Sequence, residues 1–86
     1  MSQTEKKREI EQKLYDFIKA KFDIGDDPEY TLDVNLFDYG FVDSLGAFEI
    51  IAYAEETWGV EISQRDLTLY PMNTIEEIAE VISKKL

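Results

Sequence analysis

The chain contains no cysteine and no histidine. Without cysteine there is no disulfide, no thiolate nucleophile and no cysteine-based zinc site. Without histidine there is no Ser-His-Asp triad, because a hydrolytic serine needs a base to take its proton. No apolar run approaches the length of a membrane span. The basic trio Lys6, Lys7 and Arg8 leads into Glu9, Glu11 and Gln12 rather than into the apolar core of a secretion signal. These absences predict a soluble, untargeted protein, and the cytoplasm is the default expectation since a reducing compartment tolerates a chain without disulfides. Eighty-six residues suffice for one modest core and not for two, so a single domain over 1–86 is predicted.

Basic residues are also scarce beyond the first quarter of the chain. Residues 1–21 carry six basic and four acidic side chains, whereas residues 22–83 carry fifteen acids and one base, Arg65. Lys84 and Lys85 close the sequence, and the formal net charge is −10. Such a field repels nucleic-acid phosphates and attracts basic protein surfaces, so protein partners are expected and nucleic acid is not. The acidic group Asp23, Asp26, Asp27 and Glu29 raises calcium, but Gly25 and Pro28 break the spacing of a helix-loop-helix calcium loop. A solvated loop is predicted there, and no metal site.

What is present is helical periodicity, with no run of alternating strand character. Ile10, Leu14, Phe17, Ile18 and Phe22 form one stripe, and that helix ends near Phe22. Residues 23–42 include Gly25, Pro28 and Gly40 and lack periodicity. A connection of that length in a small domain points to function. Leu32, Val34, Leu36 and Phe37 are predicted to pin it to the core. A second helix is predicted from about Ser44 to Trp58, stopped by Gly59, with Val60 and Ile62 packing inward behind it. A short helical turn over Arg65–Leu69 precedes Pro71. Asn73 or Thr74 caps a last helix with the stripe Ile75, Ile78, Ala79 and Ile82. The predicted fold is all-α: a small antiparallel bundle of three main helices and one short one, with a long first connection.

The second helix divides into two faces. Ala47, Ile50, Ile51, Ala54 and Trp58 make the core stripe. Leu45, Glu49, Ala52 and Glu56 line another face, bordered by Phe48 and Glu55, that begins directly below Ser44. No Lys or Arg between Asp43 and Trp58 neutralises it. An acidic face beside a serine is a docking surface with a chemical handle. Ser44 lacks the paired glycines of a nucleophile elbow, since Val42 precedes it by two, and no lysine lies nearby in sequence. It is therefore predicted to cap the helix, to be modified, or both; a phosphate attached there would meet free N–H groups at the positive end of the helix dipole. The residue that would complete a capping box is replaced by Ala47.

With these landmarks the chain resembles the acyl carrier proteins and their peptidyl and D-alanyl carrier relatives. Asp43-Ser44-Leu45 is preceded by Leu36-Phe37-Asp38-Tyr39-Gly40 and followed by Glu49-Ile50-Ile51. Later, Trp58-Gly59-Val60-Glu61-Ile62 and Asn73-Thr74-Ile75-Glu76-Glu77-Ile78 continue the likeness over nearly the whole chain. The resemblance implies that Ser44 carries 4′-phosphopantetheine, installed from coenzyme A by a carrier synthase, a phosphopantetheinyl transferase. The arm's thiol would hold an acyl or aminoacyl group as a thioester. It also implies that Asp43 lies near the synthase's magnesium during transfer. Fatty-acid carriers commonly place an acidic residue where Gly46 stands, so the stretch Gly40–Gly46 is more similar to D-alanyl and specialised stand-alone carriers. Bulky Phe48, Tyr53 and Trp58 are expected to fill core rather than to line a pocket.

The expected function is therefore a non-enzymatic, monomeric substrate carrier. Its expected partners are the carrier synthase, an acyl- or aminoacyl-loading ligase and acyl-transferring enzymes, met through Asp43, Leu45, Phe48, Glu49, Ala52, Glu55 and Glu56. The alternative is an acidic helical adaptor for basic partners, with Ser44 only a cap or a phosphosite.

Overall fold

A computed structural model of the chain describes residues 3–86, so residues 1 and 2 of the expected unit lie outside the described residues. Four helices follow one another: α1 over Gln3–Lys21, α2 over Ser44–Trp58, α3 over Gln64–Leu69 and α4 over Ile75–Lys84. No strand occurs among the described residues.

The core is built by the predicted stripes. Ile10, Leu14 and Ile18 of α1 are fully buried and meet the buried Ile75, Ile78, Ala79 and Ile82 of α4. Ile50 and Ala54 bring α2 into the same cluster. Each such side chain contributes about 1.5–3 kcal/mol on leaving water. The contacts of α1 with α2 fix the direction of this pair. Phe22, just past the end of α1, lies against Gly46, Lys21 pairs with Glu49, and the Phe17 ring stacks on Tyr53 at 4.0 Å. Descending numbers in one helix meet ascending numbers in the other, so the two run antiparallel.

Local chemistry sets each helix end. α1 stops where Asp23 turns left-handed (φ 55°) and the Ile24 N–H donates to the Lys19 carbonyl at 3.1 Å. Aspartate is among the few residues with a side chain that tolerates this conformation. α2 stops at Gly59 (φ 67°), whose N–H donates to the Glu55 carbonyl at 2.9 Å. Thr74, rather than Asn73, caps α4: its hydroxyl accepts the Glu77 N–H at 3.0 Å, and the Glu77 carboxylate accepts the N–H groups of Asn73 and Thr74.

The long connection is ordered by burial and by three hydrogen bonds to residues distant in sequence. Val34 and Leu36 are buried as predicted, and Leu32 and Phe37 are half-buried. Tyr30 and Val42 are buried as well. The Tyr30 hydroxyl donates to the Tyr15 carbonyl at 2.7 Å, and burial, followed by the neighbouring Tyr15 and Asp16, pushes its pKa far up. The Leu36 N–H donates to the Asn73 carbonyl at 2.9 Å and the Glu76 N–H to the Leu32 carbonyl at 3.1 Å, strapping the connection to the start of α4.

Gly46 is buried inside the first turn of α2, which the apolar periodicity did not anticipate. A Cβ there would lie 2.6 Å from Phe22 Cε1 and 2.9 Å from Val42 Cγ1. The approach of Phe22 and Val42 to the first turn of α2 therefore requires glycine. Alanine is the better helix former by about 1 kcal/mol, but overpacking costs about 1–3 kcal/mol. Gly46→Ala is expected to lower stability by about 1 kcal/mol, as read by the denaturant midpoint; a midpoint above that of the parent would refute the packing argument.

α3 has no buried residue. It is held by polar contacts: Ser63 and Asp66 form a capping box, Asp66 pairs with Lys85 at 2.9 Å, and Lys84 Nζ lies 4.8 Å from the centre of the Tyr70 ring. The hydrogen bond from Lys85, with that from the Ser63 N–H, lowers the Asp66 carboxyl from 3.8 to about 2. A folded-state pKa below the unfolded one means stability that is complete above about pH 4 and lost as pH falls through about 2. Asp66→Asn is expected to shift the amide signals of α3 at neutral pH and to raise their exchange with solvent. The parent's shifts should approach the variant's between pH 4 and 2; a constant gap over that range would disprove the role of the carboxylate.

Candidate functional site

Asp43, not Ser44, is the cap of α2. Its backbone is extended (φ −98°, ψ −178°) and its carboxylate accepts the Gly46 N–H at 2.8 Å. Aspartate before serine is an equally good cap, and once it takes that position the serine becomes the first helical residue. This replaces the expectation that Ser44 might cap the helix. The Asp43 carbonyl accepts the Ala47 N–H at 3.1 Å.

Freed from capping, Ser44 is exposed, and its hydroxyl makes no hydrogen bond among the described residues. The N–H groups of Ser44 and Leu45 also meet no acceptor among them. An oxygen that is accessible, uncommitted and adjacent to unsatisfied donors at a helix N-terminus suits attachment of an anionic group. It does not suit hydrolysis, for which a base would have to stand beside it.

The predicted docking residues divide into two sets. Asp43, Leu45, Phe48, Glu49, Ala52 and Glu56 are all exposed, and Leu45 and Phe48 stand out at 74% and 64% exposure. Phe48 is thus a surface side chain and not the core filler expected. Glu55 is half-buried, and its carboxylate accepts the Ile62 N–H at 3.0 Å, which fixes the turn after α2. Glu49 is 3.7 Å from Lys21 Nζ, with both side chains about half exposed. Such a pair is worth about 0–1 kcal/mol, so Glu49 remains available to a competing cation.

Two hollows flank the serine's helix. An open groove of about 370 Å³ lies between the end of α1 and the first turn of α2, lined by Lys21, Phe22, Gly40, Phe41, Asp43, Leu45, Gly46 and Glu49. On the other side, a crevice of about 40 Å³ runs under α3 among Phe37, Ala47, Ile50, Ile51, Leu67, Met72 and Ile78. None of Phe48, Tyr53 and Trp58 lines that crevice. Tyr53 and Trp58 instead pack edge to face at 5.8 Å beside Phe17. The groove was not anticipated, because Phe22 belongs to the apolar stripe of the first helix and the sequence pattern gives Phe41 and Lys21 no common place. Its one signal in the sequence is that Lys21 is the last base before Arg65.

Among the described residues no group of three or more acidic side chains could hold a metal ion, and no helix is long and apolar enough to cross a membrane. The family described as the phosphopantetheine attachment site matches residues 12–82, a span that contains the exposed serine, both hollows and all of α2. No curated protein and no solved structure gave a match.

Proposed function

The chain belongs to the phosphopantetheine-attachment family, and on that premise we propose that Ser44 is the attachment residue of a carrier that holds an acyl or aminoacyl group as a thioester. Carrier domains of this family bear covalent 4′-phosphopantetheine and present cargo to other enzymes. The observation that carries the assignment to Ser44 is its exposed hydroxyl, uncommitted to any hydrogen bond, at the first position of α2. When bound, the group supplies a thiol at the end of a long tether. The chain itself supplies the oxygen, the unsatisfied amides beside it and the charged face below it.

Loading by a carrier synthase balances as a phosphoryl transfer. Ser44 Oγ bonds to the pantetheine-bearing phosphorus of coenzyme A, the anhydride bond breaks, and adenosine bisphosphate leaves. The hydroxyl proton goes to a base of the synthase, since this chain has no histidine to take it and Asp43 is engaged as the helix cap. Asp43, the exposed residue before the serine, would be suited to help hold the synthase's magnesium, while its cap bond engages the Gly46 N–H.

The crevice under α3 supports a cargo carried outside the bundle. At about 40 Å³ it has room for about one water molecule, so a long chain would enter only if α3 moved. This agrees with the likeness of Gly40–Gly46 to D-alanyl and specialised carriers. Incubation with coenzyme A, magnesium and a broad-specificity carrier synthase should raise the intact mass by one phosphopantetheine. A chain that gains nothing while a control carrier is loaded would leave the acidic adaptor as the better account.

A further inference from the structure

We infer that the arm on Ser44 rests along the groove between α1 and α2, with Lys21 as the cation for its phosphate and Phe22 and Phe41 as the apolar bed for its geminal methyls. The inference rests on the carrier reading and adds a place for the arm that the reading does not supply.

Two hollows lie beside the serine's helix. Both sequence neighbours of Ser44 line the groove, so the attachment point stands on its rim. The phosphate, hydroxyl and two amides of the arm are polar and lose hydrogen bonds to water if buried among hydrocarbon. The crevice under α3 is almost wholly apolar in its lining and about a ninth of the groove's volume. The groove combines two aromatic rings with charged groups and stays open to solvent, which matches a chain with a phosphate at one end and methyls next to it.

The groove also supplies a cation, which the crevice lacks. Lys21 is the only base lining the groove, against the carboxylates of Asp43 and Glu49. Its present partner is Glu49 at 3.7 Å, a long and half-exposed pair. A phosphate tethered to Ser44 competes with that carboxylate at high effective concentration. Lys21 then exchanges one anion for another, and Glu49 is released toward solvent and toward basic partners.

The test uses the holo protein, after intact mass shows one added group and peptide mapping places it on Ser44. Nuclear Overhauser contacts from the arm's geminal methyls are read in the parent, in Lys21→Glu and in Glu49→Gln. Contacts to the Phe22 and Phe41 rings are expected in the parent, lost in Lys21→Glu and stronger in Glu49→Gln, with circular dichroism unchanged in all three. Because the chain has no cysteine, a nitroxide placed on the arm's thiol labels only the arm and gives an independent broadening map. Contacts to Ala47, Ile51 or Leu67 instead, or to no residue, would overturn the groove assignment while leaving Ser44 as the carrier residue. Contacts that survive Lys21→Glu would overturn the role of Lys21. Absence of any mass gain would remove the carrier reading and this inference together.

Discussion

Ser44→Ala is expected to abolish the gain of phosphopantetheine completely and to leave stability within about 0.5 kcal/mol of the parent. Loss of function without loss of fold follows from the position of the serine. Its hydroxyl bonds to nothing among the described residues, the cap is provided by Asp43, and alanine is the best helix former for the first turn. Asp43→Ala makes the complementary case. That change removes the acceptor of the Gly46 N–H, is expected to cost about 1 kcal/mol of stability and to slow loading by removing the carboxylate that precedes the serine. Intact mass reads the first property and thermal unfolding the second. Modification of Ser44→Ala at another residue would refute the assignment, and its unfolding would show that the hydroxyl has a structural partner after all.

The second large effect concerns recognition. Glu56→Lys and Glu49→Lys are expected to slow loading by a carrier synthase by about tenfold or more at low salt, the scale on which local fields alter association. Glu76→Lys, an exposed change of equal charge at the start of α4, should have far less effect. Glu77→Lys is a poor control, since the Glu77 carboxylate holds the N–H groups of Asn73 and Thr74 and its loss would unravel that helix start. Glu55→Lys is likewise compromised by the bond to Ile62. Rising salt should narrow the gap between parent and reversals, because exposed charges are screened over about 10 Å at 0.1 M. Leu45→Asp should stay impaired in salt, since apolar contact at this side chain, 74% exposed, is not screened. Equal rates for Glu56→Lys and Glu76→Lys at low salt would rule out the acidic face as the docking surface.

Much of this architecture was legible because it is periodic. The stripe Ile10, Leu14, Ile18 and the stripe Ile75, Ile78, Ala79, Ile82 are buried as read, and α2 begins and ends at the residues predicted for it. The serine was legible through its flanks. Features that depend on three dimensions were not. The cap belongs to Asp43 because the chain is still extended there, a choice that residue type leaves open since aspartate and serine cap equally well. Gly46 looked like a departure from an acidic position, and only its approach to Phe22 and Val42 explains it. Phe48 lies on the surface although its size suggested the core, and Tyr30 lies in the core although no periodic stripe includes it. For Gly46 and Tyr30 the deciding contacts, to Phe22 and to Tyr15, come from residues distant in sequence, which local pattern does not encode.

The strap between the long connection and the start of α4 bears on the order in which the molecule assembles. Its two bonds join residues 32 and 36 to residues 76 and 73, across most of the second half of the chain. Closing so large a loop is an entropic cost met before those bonds form, so the strap belongs to the late side of the folding barrier. α1, α2 and α4 form from near neighbours, whereas Leu32 and Leu36, which lead toward Ser44, gain their strap only when the start of α4 has docked. Newly made chains should therefore gain helical signal before they become substrates for loading, and stopped-flow refolding with pulsed addition of synthase would resolve that interval.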